Sequence, residues 1–171
     1  PATVVLARRP NVRNYADHCA GRWLVRTNDG ARNFRLAVAP EQNPEDRAAW
    51  LPILPHRADA AVDQALAFDG GIAVLERVEA NARIRIMPWS GGDGFVVPAD
   101  ETAFSMGLGE NLDAANGSVR IGYTSMITPR TTMDVDMATG KRTVRKVQPV
   151  IGYDRALYAT ARVWAPSRDG Q

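Results

Sequence analysis

The 171-residue sequence has a single cysteine, Cys19, so no intrachain disulfide can form. A lone thiol fits a reducing, cytoplasmic setting better than a secreted one. No run of about 18 apolar residues is present, which excludes a transmembrane helix. The opening Pro1-Ala-Thr-Val-Val-Leu-Ala-Arg-Arg9 lacks the charged start and long apolar middle of a signal peptide, and it lacks an initiator methionine. It begins inside what reads as a strand, as a piece cut from a longer chain would. Neither sign of charge dominates: 21 basic and 19 acidic side chains give +2, too little to point to nucleic acid or a membrane surface. The longest basic cluster, Lys141-Arg142-Thr-Val-Arg145-Lys146, reads as a strand end with solvated side chains. Long helical periodicity is missing too. Only Pro44-Glu-Asp-Arg-Ala-Ala-Trp50 could coil, as one turn in a connection.

What is present is a strand pattern. Hydrophobic residues make up 45% and charged residues 23%, enough apolar material for a real core and too much for wholesale disorder. Three segments read as central strands: Arg22–Asn28, Gly71–Val78 and Val119–Met126. Each is followed by an alternating partner, at Phe34–Val38, Ile84–Met87 and Thr132–Met137. Phe34, Arg83 and Thr132 stand 49 residues apart in succession. A third strand follows in each unit (Trp50–Leu54, Gly94–Val97, Arg142–Val147), and a short apolar strand precedes it (Asn14–His18, Gln64–Phe68, Ala103–Leu108). Asn28-Asp-Gly30 and Thr139-Gly140 supply turns that tolerate positive φ. Pro44, Pro52, Pro55, Pro88 and Pro98 fall at strand ends or connections.

Four short strands per unit at this spacing predict an all-β fold of about three four-stranded antiparallel blades of a β-propeller, an incomplete ring. The blades lie near 13–55, 60–98 and 103–148. Residues 3–8 read as the outer strand of a preceding blade, and 153–165 as an exit strand and linker. An antiparallel sandwich or barrel is the rival architecture. Three blades cannot close a ring, so self-association through the terminal blades is expected. Arginines on the first strand of each blade are expected to line the central channel.

Candidate chemistry is sparse. Ser90, Ser105, Ser118, Ser125 and Ser167 all fail the Gly-x-Ser-x-Gly pattern that a strained nucleophile turn requires. The two histidines, His18 and His56, follow no such turn. Asp17-His18-Cys19 could suggest a Cys-His dyad or a metal site, but neighbours in a strand point to opposite faces, and a structural role for Asp17 and His18 is favoured. Gly91-Gly92-Asp93-Gly94 has no following lysine and reads as a turn. Asn116-Gly117-Ser118 matches a glycosylation acceptor but is also a strong turn signal. Asp134 and Asp136 share a strand face, where they could hold a cation or pair with basic neighbours; pairing is favoured. Trp23, Trp50, Trp89 and Tyr123 read as residues packed between blades. No residue is assigned as catalytic, cofactor-binding or metal-ligating, and none as substrate-binding.

Two motifs go further. One is Asp17-His18, Arg22-Trp-Leu-Val-Arg26-Thr-Asn28 and Asn33-Phe34-Arg-Leu36. The other is Arg120-Ile-Gly-Tyr123-Thr-Ser125-Met-Ile-Thr128-Pro129 with Asp134-Val-Asp136-Met-Ala-Thr139-Gly140, then Gly152-Tyr153-Asp154, Tyr158 and Ala165-Pro-Ser-Arg168-Asp169-Gly170. This succession resembles the late propeller blades of the oligopeptidase B group in the prolyl oligopeptidase family of serine peptidases. Tyr123 to Pro129 is the most specific part, with Thr124 and Ile127 as conservative departures. The resemblance implies a parent serine endopeptidase that cleaves short peptides after basic residues without metal or cofactor. In it the propeller caps an α/β-hydrolase domain that carries the Ser-His-Asp triad. It places that domain beyond residues 153–171, so this chain alone is expected to be no enzyme. Trp164 is then expected to pack on the hydrolase domain. The alternatives are a stand-alone propeller-derived binding module, or a family relative with proline or dipeptidyl preference.

Overall fold

The computed structural model describes Val4 and residues 6–168. Among these, twelve strands run in chain order: β1 Asn14–Cys19, β2 Arg22–Thr27, β3 Arg35–Pro40, β4 Leu51–Leu54, β5 Ala60–Phe68, β6 Gly71–Val78, β7 Asn81–Met87, β8 Phe95–Val96, β9 Phe104–Leu108, β10 Ser118–Ser125, β11 Thr131–Asp136 and β12 Arg142–Val147. Two short 3₁₀ turns, Arg47–Ala49 and Arg155–Leu157, accompany them. No helix among the described residues is long and apolar enough to cross a membrane.

The strands group as three antiparallel meanders of four. β1-β2-β3-β4 form one sheet. β5-β6-β7-β8 and β9-β10-β11-β12 are joined into a second sheet only by a parallel bridge from Ala82 to Ser105. This is the all-β propeller architecture expected from the 49-residue step, and the described strands close no ring.

Side-chain alternation explains how the meanders stack. In β6, Ile72 and Val74 pack with Leu24, Leu36 and Ile53 of the first meander, while Ala73 packs with Val119, Ile121 and Tyr123 of the third. A strand covered on both faces needs a continuous apolar run, and Gly71-Ile-Ala-Val-Leu75 supplies one. In β10, by contrast, buried Val119, Ile121 and Tyr123 alternate with Arg120, Gly122 and Thr124, because one face looks outward. Trp50 and Trp89 are buried between or beside sheets and Trp23 is half-buried. The Trp89 indole N–H donates to the Phe68 carbonyl at 2.8 Å.

Two turns demand glycine. Gly94, at φ 55°, leads into β8, and a Cβ there would sit 2.0 Å from the Ile86 carbonyl oxygen. Gly71 opens β6, and a Cβ would come within 2.8 Å of the Met87 carbonyl.

Four expectations need correction. No strand covers Val4 or residues 6–8, and Thr3 and Val5 lie outside the described residues, as do Asp169, Gly170 and Gln171. Residues 153–165 form no exit strand either. Asp154 caps the 3₁₀ turn by accepting from the Ala156 N–H, and side chains rather than a ladder hold residues 158–165. Pro52 lies within β4, which tolerates it as an edge strand with one unpaired side. Finally, the first strands β1, β5 and β9 contain no arginine; the strand arginines stand on second, third and fourth strands, where Arg83, Arg85, Arg120, Arg142 and Arg145 meet carboxylates while Arg22 and Arg26 lie over aromatic rings.

Candidate functional site

The Asp17-His18-Cys19 run does not converge. Asp17 reaches across to β5, accepting from the Ala67 N–H at 2.8 Å. The His18 ring lies against Trp23 and 3.2 Å from a Glu41 carboxylate oxygen. Cys19 turns inward and its Sγ sits 3.1 Å from Asp69. Burial, reinforced by the hydrogen bond and charge of Asp69, pushes the thiol up to about 11. A thiol that stays protonated is no nucleophile. Among the described residues no group of three His, Cys, Asp or Glu side chains could hold a metal ion.

The buried charges belong to three acids. Glu76 on β6 has a side chain only 1% exposed and is ringed by Arg57, Arg83 and Arg85, at 3.3, 2.8 and 3.1 Å. Arg83 and Arg85 share one face of β7, and Arg83 stands directly opposite Glu76. Asp134 on β11 is held by Arg120 of β10 and Arg145 of β12, each at 2.8 Å. The hydrogen bond from Arg120, with Arg145 behind it, holds the Asp134 carboxyl below its ordinary range against the opposing effect of burial. Asp136 instead binds its own turn, accepting from the Thr139 N–H and hydroxyl, so the pair divides between ion pairing and turn capping.

The third acid organises the Tyr123–Pro129 motif. Glu101, in the connection before β9, has a side chain 4% exposed. It accepts from the Tyr123 hydroxyl and the Thr128 hydroxyl, and pairs with Arg155 at 2.8 Å. Burial works against its charge, but the hydroxyls of Thr128 and Tyr123 and the Arg155 guanidinium outweigh it and keep the carboxyl below its usual range. The same contact works in reverse on Tyr123, which burial and the Glu101 hydrogen bond push up to about 12. The turn is braced from within by Ser125, whose Oγ accepts from the N–H groups of Ile127 and Thr128 at 3.2 and 2.9 Å. From the far side, the Tyr153 hydroxyl donates to the Ile127 carbonyl. Ser125 is therefore a turn residue.

Motif turn and exit segment thus form one unit, at the place where the chain leaves the last strand. Beyond it, Tyr153 stacks on Tyr158, with ring centroids 5.4 Å apart. Arg162 contacts Glu79 and lies over the Trp164 ring, 4.3 Å from its centroid. Large apolar side chains here stand in solvent: Ile151 is fully exposed and Trp164 73% exposed, with Val150, Leu157, Tyr158, Val163 and Met126 also exposed. Sequence reading missed both glutamates. An acid inside an apolar strand, followed by arginines at period two, was a usable signal for Glu76. Glu101 sits in an irregular connection and had none.

Comparisons with known proteins fit this geometry. The chain is 43% identical over 170 residues to dipeptidyl aminopeptidase BI of Pseudoxanthomonas mexicana, covering 99% of this chain and 23% of that protein. It is 25% identical over 173 residues to protease 2 of Moraxella lacunata, covering 99% and 24%. The structure of oligopeptidase B from Leishmania major superposes with a TM-score of 0.84 at 28% identity, over 95% of this chain and 24% of that one. The chain therefore spans about a quarter of the length of the curated relatives it matches. Residues 1–148 match the prolyl oligopeptidase N-terminal β-propeller domain. With most of its length matched and three stacked four-stranded meanders to correspond, this chain belongs to the prolyl oligopeptidase N-terminal β-propeller family.

Proposed function

We propose that residues 1–152 are part of the substrate-gating propeller of a serine peptidase, and that 153–171 lead toward an α/β-hydrolase domain of the same parent chain that carries its Ser-His-Asp triad. The observation that carries this reading is the stack of three meanders within a family-matched stretch that has no nucleophile turn. Blades around a central channel admit an extended peptide and turn away a folded protein, so the propeller acts by sieving rather than by chemistry. The exposed apolar residues of the exit segment support a covering partner, and the 73% exposure of Trp164 is consistent with its packing on the hydrolase domain. In the isolated chain the same surface, with Val144 and Val147 on edge strand β12, favours self-association.

The finer specificity has two readings. The 43% identity to a protein named as a dipeptidyl aminopeptidase favours release of dipeptides from a free N-terminus. The likeness to oligopeptidase B favours cleavage after arginine or lysine. The full-length parent, assayed on arginine reporter peptides with free and with blocked N-termini, separates them. Cleavage only of free dipeptidyl reporters supports the first reading; cleavage of blocked arginine reporters supports the second. Cleavage of neither reporter would overturn both.

A further inference from the structure

The Asn116-Gly117 step, just before β10, is the only asparagine followed by glycine in the sequence. Both residues are exposed, and a Cβ at Gly117 would meet nothing within 4 Å, so solvent reaches this peptide freely. The local bonds orient the asparagine side chain. Its Oδ1 accepts from the Ser118 N–H at 3.2 Å and from the Ser118 hydroxyl at 3.0 Å. This Asx turn folds the amide back over the Asn116–Gly117 peptide. The Gly117 carbonyl accepts from the Met137 N–H at 2.9 Å, whereas its own N–H has no partner among the described residues.

We propose that Asn116 is a site of spontaneous deamidation and isoaspartate formation. The Gly117 amide nitrogen gives its proton to hydroxide and attacks Asn116 Cγ. The bond from Cγ to the side-chain nitrogen breaks, that nitrogen takes a proton from water and leaves as ammonia, which regenerates the hydroxide, and a five-membered succinimide closes. Water then adds to either ring carbonyl, and reopening yields aspartate or isoaspartate. Nothing is oxidised or reduced. Glycine removes the steric barrier to ring closure, and the two donors on Oδ1 stabilise the negative charge that develops there on attack, as an oxyanion hole does.

The product alters its surroundings. A new carboxylate joins Glu110, Asp113 and Asp134 around a cavity of about 230 Å³ that Arg120 also lines. Isoaspartate also adds a backbone atom next to the Gly117 carbonyl that meets Met137, at the start of the register between β10 and β11.

The test is incubation of the purified chain in mildly alkaline buffer, with peptide mapping by mass spectrometry and enzymatic methylation of isoaspartate. Label should accumulate at position 116 ahead of every other asparagine, ammonia release should equal the sum of aspartate and isoaspartate formed there, and both should fall at least about tenfold in Gly117→Ala. Asn116→Gln, checked for native tryptophan fluorescence, should be equally silent. Ser118→Ala should slow the reaction, and an unchanged rate there would remove the hydroxyl from the mechanism. Label appearing first elsewhere, or forming at an undiminished rate in Gly117→Ala, would overturn the proposal.

Discussion

The strands between Asn14 and Val147 and the segment after them are held by opposite means. The strands are tied by continuous backbone ladders and by side chains buried on facing sheets. The segment from Val150 onward has no ladder. It is pinned by a few side chains, chiefly Tyr153 to the Ile127 carbonyl, Arg155 to Glu101 and Arg162 to Glu79, and it presents its apolar residues to water. Identical residue types therefore have different consequences on the two sides of Val147. A buried isoleucine in β10 carries stability, whereas Ile151 carries nothing until something covers it.

Substitutions can break that comparison, and the largest effect belongs to the core. Ile121→Ala, in the β10 face packed on Met133 and Val135, should cost about 2–5 kcal/mol in urea unfolding. Leu157→Ala should stay within about 0.5 kcal/mol. Equal losses would mean that the exit segment is part of the same core. Next comes Glu76→Ala, which strips three guanidiniums of their shared partner; breaking a buried pair costs about 3–5 kcal/mol, and the partial exposure of the arginines puts the expected value at the low end.

Smaller effects sharpen the picture at the junction. Tyr123→Phe removes one donor to Glu101 and should cost about 1–2 kcal/mol. Arg155→Ala should cost less than about 1 kcal/mol globally, because its side chain is half exposed, yet it should speed amide exchange in 150–158 selectively. Acid should act in the same place. Glu101 and Asp134 have carboxyls held below their ordinary values in the folded chain. Their contribution is thus fully present above the ordinary carboxylate range and is lost as pH falls through the lowered folded values. The third meander and the exit segment should loosen first on acidification, and Asp134→Asn should flatten that response in a pH series of thermal unfolding curves.

Much of the fold was legible because strand periodicity and turn chemistry are local. The twelve strands fall within a few residues of the alternating segments, and β6 and β12 match to the residue. The exit segment misled because Tyr158 and the apolar Val163-Trp164 look like strand material, while a strand needs a partner edge that sequence does not reveal. The site was half legible. Tyr123 to Pro129 stood out as a motif, but its organising acid lies 22 residues upstream in a connection without pattern. The strand arginines were misplaced because their partners are set by the meander pairing, which brings Arg83 and Arg85 to Glu76 and Arg120 and Arg145 to Asp134.

Whether this chain sieves substrates for a hydrolase domain elsewhere in its parent is read out by the parent's cleavage rate on one scissile sequence presented in peptides of increasing length and finally within a folded protein. Sieving requires rapid cleavage of the short peptides, a steep fall with length, no cleavage of the folded protein, and no activity in the 171-residue chain alone. Equal cleavage of the folded protein, or hydrolysis by this chain by itself, would contradict it.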